Sequence, residues 1–400
     1  MTEAVLRSIA AQYGTPCFVF DTDVLSLHMA QVQEILGSNV HLCYSIKANP
    51  FLIREMLRHV EWLEVCSPGE LHICEELGIS RQRILFSGVS KTPQDIEQAL
   101  ADDVGLYTAE SLRQVELLQS AASAQKRVIP VLLRVAHQSQ FGMDEQVLAD
   151  IVRCSADYPA LHFVGIHFFT GTQKKRVQEI ERELTWLETL CARLRQECGF
   201  SCERIEYGPG LSVPYFEDDN FETRYDMLKE IAPHLRRLSD QFQLTVEMGR
   251  FFTAQCGSYL TTVTDCKQNG DTSYALVDGG IHHVNYYGQM MGMKVPMIRH
   301  FHAFERAPIL QEAQTRDWTL CGSLCTTADI LVRKVHMEGL ATGDILVFEN
   351  LGAYSVTEGL LLFLSRAMPR ILLYSEAQGS LLQREAIESY RLNTILKGEF

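Results

Sequence analysis

Val40-His41-Leu42-Cys43-Tyr44-Ser45-Ile46-Lys47-Ala48-Asn49-Pro50 sets a lysine at the C-terminal end of an apolar strand, just before a turn. The same rhythm continues on both sides of Asn49-Pro50. Further strand-like runs follow at 61–66, 83–87, 105–108, 128–135, 164–169, 204–207 and 244–247. Helical patterns separate them at 52–59, 70–77, 93–101, 109–123, 145–155 and 176–197. Strands that alternate with helices of this length form parallel sheets, and this number of units favours a closed barrel over an open sheet. In a (β/α)8 barrel the C-terminal strand ends form the reactive rim. Lys47 therefore belongs at that rim, where desolvation lowers an amine's pKa and favours Schiff-base chemistry. The same spacing also allows a lysine that merely extends from a strand end to water.

After Gly249 the texture changes. Runs at 253–265, 273–277, 308–310, 318–321, 344–349 and 370–374 read as strands, with turns at Asn269-Gly270 and Thr342-Gly343-Asp344. The expected architecture is α/β: a TIM barrel over residues 25–252 and a second, mostly β C-terminal domain made of 1–24 plus 253–400. The strand candidate Cys17–Phe20 is expected to pair with that β domain.

The bulk numbers bound the function. The chain has 400 residues and a formal net charge of −14, with 36 Lys+Arg against 50 Asp+Glu. No basic run stands out, which argues against nucleic acid as a partner. No apolar run approaches the ~18 residues of a membrane span, and the first residues do not resemble a secretory signal, so a cytoplasmic protein is expected. Twelve cysteines are scattered without a C-x-x-C pair, and no metal site is expected.

Four further segments give the lysine its context. They are Gly165-Ile166-His167-Phe168-Phe169-Thr170-Gly171-Thr172-Gln173, Tyr207-Gly208-Pro209-Gly210-Leu211, Glu247-Met248-Gly249-Arg250 and Cys321-Gly322-Ser323-Leu324-Cys325-Thr326-Thr327-Ala328-Asp329; Gly352-Ala353-Tyr354 follows. In this order, and over nearly the whole chain, they resemble the ornithine/diaminopimelate/arginine decarboxylases, pyridoxal 5'-phosphate (PLP) enzymes of the alanine-racemase-like fold. The resemblance implies PLP bound covalently at Lys47, with His167 stacked on the cofactor ring and Glu247 at its pyridine nitrogen. It puts Thr172, Gly208, Gly210, Gly249, Arg250 and Tyr354 around the cofactor, mostly at its phosphate. It makes Cys325 the proton donor to the carbanion left by CO2, reaching the partner subunit's site in a homodimer. Pro209 departs from the family's glycine-rich turn and removes one N–H donor.

Thr326 is the informative departure. Relatives acting on free diamines carry an acid there, whereas Thr326 has no charge to pair with a distal ammonium. Asp329 is a second candidate for substrate contact. The finer motif detail, including Gln140–Glu145, Val213–Phe216, Val277–Gly280 and Leu324–Thr326, resembles a biosynthetic subgroup. Its members decarboxylate a glutamyl group on a carrier protein, or an amino-acid conjugate in siderophore assembly. The expected activity is PLP-dependent decarboxylation of an amino acid or of such a conjugate, free or carrier-bound. The alternatives are a decarboxylase of free diaminopimelate, ornithine or lysine, a same-fold racemase, and a non-catalytic binding protein. The short connection from Arg134 to Gln140 implies a more open substrate mouth.

Overall fold

The computed structural model describes residues 1–137, 139–287, 292–303 and 316–394. These divide into two units, one of Ser26–Val213 with Phe221–Phe252, the other of Met1–Leu25, Pro214–Asn220 and Thr253–Phe400.

The first unit is a closed barrel of eight strands, which follow β1 (Cys17–Asp21) of the other unit and so run from β2 to β9. They are β2 His41–Ser45, β3 Trp62–Val65, β4 Ile84–Phe86, β5 Leu106–Ala109, β6 Ile129–Arg134, β7 Leu161–Phe169, β8 Arg204–Gly208 and β9 Gln243–Met248. Neighbours pair in parallel all round, and β9 returns to β2 with Glu247 opposite Cys43. All eight barrel strands lie where the sequence pattern puts them.

Helix starts are set by local chemistry. Ser67, Thr92 and Ser111 each accept a backbone N–H three residues on, and proline occupies the first turn after Ser67 and Thr92. Several helices carry no sequence expectation, among them Glu3–Tyr13, Thr22–Leu36 and Asp226–Ser239; the last contains Pro233, whose ring argues against helix when the sequence is read alone. The run 52–59 is helical only over Ile53–Met56, after short 3-10 turns around Lys47 and Pro50.

Inside the barrel, Cys43, Leu85, Leu106, Leu132 and Val164 form an apolar plug. Strand side chains alternate faces, so each interior apolar residue is followed two positions later by another interior side chain nearer the rim. That second layer is polar: Ser45, Thr108 and Arg134 on β2, β5 and β6, with Glu64 two residues after Trp62 on β3. Strand β7 needs an extra device, because Val164 and His167 have opposite parity. The register shifts there, Val131 pairing with Phe163 and Leu132 with Gly165, so the additional residue re-aims His167 inward.

The second unit is a nine-stranded sheet. It adds β10 Gly257–Asn269, β11 Thr272–Val277, β12 Ile298–Phe301, β13 Arg316–Cys321, β14 Ile330–Met337, β15 Ile345–Glu349, β16 Arg370–Ser375 and β17 Gly379–Arg384. As expected, the N-terminal β1 joins it, antiparallel to β10 and parallel to β16. Strands β12, β14 and β17 have no counterpart in the sequence expectation, and the run 308–310 lies outside the described residues. Among the described residues no helix is long and apolar enough to cross a membrane.

At Gly165 a Cβ would lie 1.8 Å from the Arg204 carbonyl oxygen of the paired strand. Gly165→Ala is expected to destabilise the barrel by about 2 kcal/mol or more, read as a lowered denaturant midpoint.

Candidate active site

Lys47 lies just past the end of β2, in a tight turn held by Asn49, whose side chain accepts the Phe51 N–H while its carbonyl accepts the Tyr44 hydroxyl. The Lys47 ammonium donates to Glu64 Oε2 at 2.6 Å and to Cys66 Sγ at 3.3 Å. The thiol of Cys66 in turn donates to Glu64 Oε1 at 3.2 Å. Glu64 is fully enclosed. Burial alone would raise its pKa, but the charges of Lys47 and His167 and the hydrogen bonds from Lys47 and Cys66 hold it well below the usual carboxylate range.

Glu247 occupies the end of β9, next to β2. Ser45 Oγ donates to Glu247 Oε1 at 3.0 Å. Its other oxygen is 3.0 Å from His167 Nε2, but the alignment is not that of a hydrogen bond. Both nitrogens of the buried His167 ring are without a hydrogen-bond partner. Beneath them lies Glu206 on β8, pushed far above the usual carboxylate range by burial first and by the Glu247 charge next. Its protonated form is favoured by that burial. The barrel mouth thus brings together the carboxylates of Glu64 and Glu247, the Lys47 ammonium and an imidazole without a hydrogen-bond partner.

The backbone beside them is shaped for close approach. Gly210 is left-handed at φ 64°, and a Cβ there would lie 1.9 Å from the Gly171 carbonyl oxygen. The loop carrying Thr172 therefore presses on the Gly208-Pro209-Gly210 turn, and Lys174 N–H bonds the Gly210 carbonyl. Gly249 lets the end of β9 approach Ala48, whose methyl would be 2.8 Å from a Cβ at that position, and Arg250 is buried directly after it.

A buried polar cluster extends this rim. Lys91 Nζ donates to the Gly88 carbonyl at 2.6 Å and to Gln114 Oε1 at 3.0 Å, and Arg134 donates to Glu110 Oε1 at 3.0 Å. Glu110 Oε2 accepts the Gly142 N–H, and Ala136 N–H bonds the Met143 carbonyl. These bonds close the short connection after β6; Gln138 within it lies outside the described residues.

In the β unit, the loop between β13 and β14 displays Cys325 and Thr326 at the surface. Asp329 is buried beneath it, its carboxylate accepting the N–H groups of Ile281 at 2.8 Å and Leu324 at 2.7 Å. Gly280 and Gly322 make room, since a Cβ on Gly322 would sit 2.3 Å from Asp329 Oδ2. Asp329 thus anchors the loop from within. Tyr354 takes a left-handed φ of 67° at the start of the short helix Ser355–Glu358, an uncommon conformation for tyrosine.

The family model for the pyridoxal-binding domain of pyridoxal-dependent decarboxylases matches residues 23–254, more than half of the chain. The chain belongs to the pyridoxal-dependent decarboxylases. As a member it is a carboxy-lyase that uses PLP to decarboxylate an amino acid or an amino-acid conjugate. It is similar to the L-glutamyl-[BtrI acyl-carrier protein] decarboxylase of Niallia circulans, at 26% identity over 100% of this chain and 98% of that protein. A similar match, 26% over 94% and 99%, is the 2-[(L-alanin-3-ylcarbamoyl)methyl]-2-hydroxybutanedioate decarboxylase of Staphylococcus aureus. The fold is that of the diaminopimelate decarboxylase from M. jannaschii, with a TM-score of 0.83 at 21% identity, covering 98% of this chain and 94% of that one.

The decarboxylase's residues fit PLP. A lysine, a buried imidazole without a hydrogen-bond partner, a buried carboxyl group and a turn that a single Cβ would fill converge at one end of one barrel. Sequence reading singled out Lys47, His167 and Glu247, which the fold brings together, and did not single out Glu64, Cys66, Glu206 or Lys91 around them. The available signal was polar residues at period two in otherwise apolar strands, as in Trp62-Leu63-Glu64-Val65-Cys66.

Burial lowers the Lys91 pKa from 10.5 to about 8, against the partial support of Glu110. Between those values the unfolded chain binds a proton that folded Lys91 has released, so folding becomes more favourable as pH rises through that window and gains nothing below it. Denaturant midpoints at both ends of the window should rise more in the wild type than in Lys91→Met.

Proposed function

We propose that this decarboxylase acts on an amino-acid conjugate or a carrier-bound aminoacyl group, through a site built on Lys47 and completed by Cys325 of a second subunit. The observation that carries the proposal is the commitment of Asp329 to backbone N–H groups beneath a loop whose exposed residue beside Cys325 is Thr326. With Asp329 occupied and Thr326 uncharged, the loop presents no carboxylate beside Cys325 to a distal ammonium. An unpaired buried ammonium costs several kcal/mol, so a free diamino acid is poorly served, whereas an amide- or thioester-linked group has no such charge to bury. The names of the relatives from Niallia circulans and Staphylococcus aureus, each a decarboxylase of a conjugate, support the same reading.

Lys47 is the covalent anchor for PLP. Bound there, PLP would have Glu247 to serve its pyridine nitrogen and His167 to cover its ring. Gly208, Gly210, Thr172, Gly249 and Arg250 would hold its phosphate. The turn offers converging N–H groups, though Pro209 contributes none. When bound, PLP supplies an electron sink for the pair left on the α-carbon as CO2 departs. The chain's residues do the rest. Ser45 fixes one oxygen of Glu247 and so its orientation. Burial raises the Glu206 pKa and so disfavours a further negative charge in the barrel. Glu64, 2.6 Å from the Lys47 ammonium, holds that lysine in place at the barrel mouth. Cys325 returns a proton to the α-carbon.

We assign the enzyme to the cytoplasm. All twelve cysteines are unpaired, as expected in a reducing compartment.

Mass spectrometry of PLP-loaded protein with free glutamate, ornithine, lysine and diaminopimelate, and with glutamyl and diaminopropionyl conjugates, tests the substrate class. Loss of CO2 from conjugates alone is expected; rapid turnover of a free diamino acid would overturn it. For the shared site, equal mixing of inactive Lys47→Ala and Cys325→Ala subunits should restore about a quarter of the sites by random pairing. No recovery would rule out a composite site.

A further inference from the structure

Cys66 is the side chain at the barrel mouth that the proposed mechanism leaves without a task, yet its position is closely determined. Its N–H donates to Glu70 Oε2 at 2.6 Å, while Ser67 caps the helix Pro68–Glu76 by accepting the Glu70 N–H. Its carbonyl is crowded by Gly88, where a Cβ would lie 2.4 Å from the Cys66 oxygen and φ is 100°. Between these constraints the sulfur is left 3.2 Å from Glu64 Oε1 and 3.3 Å from Lys47 Nζ.

We propose that Cys66 is a positioning residue for Lys47, its thiol occupying the second oxygen of Glu64 so that the lysine amine is presented to an incoming aldehyde instead of being locked as an ammonium. The inference rests on the reading of Lys47 as the cofactor-binding lysine. Its physical basis is the carboxylate. Glu64 Oε2 takes the lysine, and each further hydrogen bond to Glu64 lowers its affinity for a proton and loosens its hold on the ammonium. Such a donor must be neutral, since a second cation would compete with Lys47. Cys66 meets that requirement: burial, reinforced by Glu64, pushes its thiol well above the ordinary range, so it stays protonated and can donate. The charged and titratable groups around the pair are Glu64 on β3, Glu70 on the following helix, His167 on β7, Glu247 on β9 and, more remotely, Lys91. Of these, Cys66 and Lys47 hydrogen-bond the Glu64 carboxylate directly.

The test follows capture of PLP by the apoprotein, read by absorbance and by borohydride-trapped adduct at Lys47, as a function of pH. Cys66→Val keeps the bulk and removes the donor; Cys66→Ser keeps a donor; Cys66→Ala guards against a valine variant that does not fold. Capture by the valine and alanine variants is expected to be about tenfold slower at neutral pH, with the midpoint of the rate profile about one unit higher, and the serine variant should stay within about twofold of wild type. In a Glu64→Gln background, Cys66→Ala should have no effect on the midpoint. Valine and alanine variants that match wild type would overturn the proposal and leave the function intact. An effect of Cys66→Ala that survives in Glu64→Gln would also overturn it, since the thiol would then act by another route. Failure of wild type itself to form the Lys47 adduct would overturn the functional reading, and this inference with it.

Discussion

An ammonium and a carboxylate 2.6 Å apart, at the mouth of a barrel plugged with apolar side chains, set the terms for the rest of the molecule. Glu64 is too deeply enclosed to remain ionised without Lys47 and His167, and burial of a charge in such a place costs several kcal/mol unless it is paired. Other features follow from this. Burial raises the Glu206 pKa well above the usual carboxylate range, with the Glu247 carboxylate adding to the effect, and Lys91 lies among neutral carbonyls with its ammonium form disfavoured. The parallel barrel brings these groups together by ending β2, β3, β8 and β9 at one rim.

The sequence was most legible where one physical signal dominated. Alternating strands and helices located all eight barrel strands, and Cys17–Phe20 could be assigned to the β sheet from its β-branched and aromatic character. The helix Asp226–Ser239 was hidden by Pro233, a residue that ordinarily ends a helix but here stands in the interior of one. Short strands such as Ile298–Phe301 were obscure because four residues carry too little periodicity to separate a strand from a loop.

At the site, residues carried by ordered motifs were recognisable, whereas those that act by being near a motif were not. Lys47, His167 and Glu247 sit in distinctive local strings. Glu64 and Cys66 are separated from Lys47 by a helical segment, and only strand pairing across β2 and β3 brings them together. The inward aim of His167 is another product of the fold, because it depends on the extra residue in β7 and not on the residue's own neighbours. Asp329 shows the opposite problem: its motif marks it plainly, but only the hydrogen bonds of its carboxylate reveal that it supports the loop.

That anchoring separates two jobs which a single loop often has to share. Asp329, Gly280 and Gly322 fix the path of the backbone from beneath, while the Cys325 and Thr326 side chains face outward and add to it the Ala328 N–H bond to the Thr326 hydroxyl. Side chains on the outer surface can therefore be exchanged without refolding the turn that presents them. A scaffold of this kind is evolvable: the residue at position 326 can change while Cys325 beside it keeps its place.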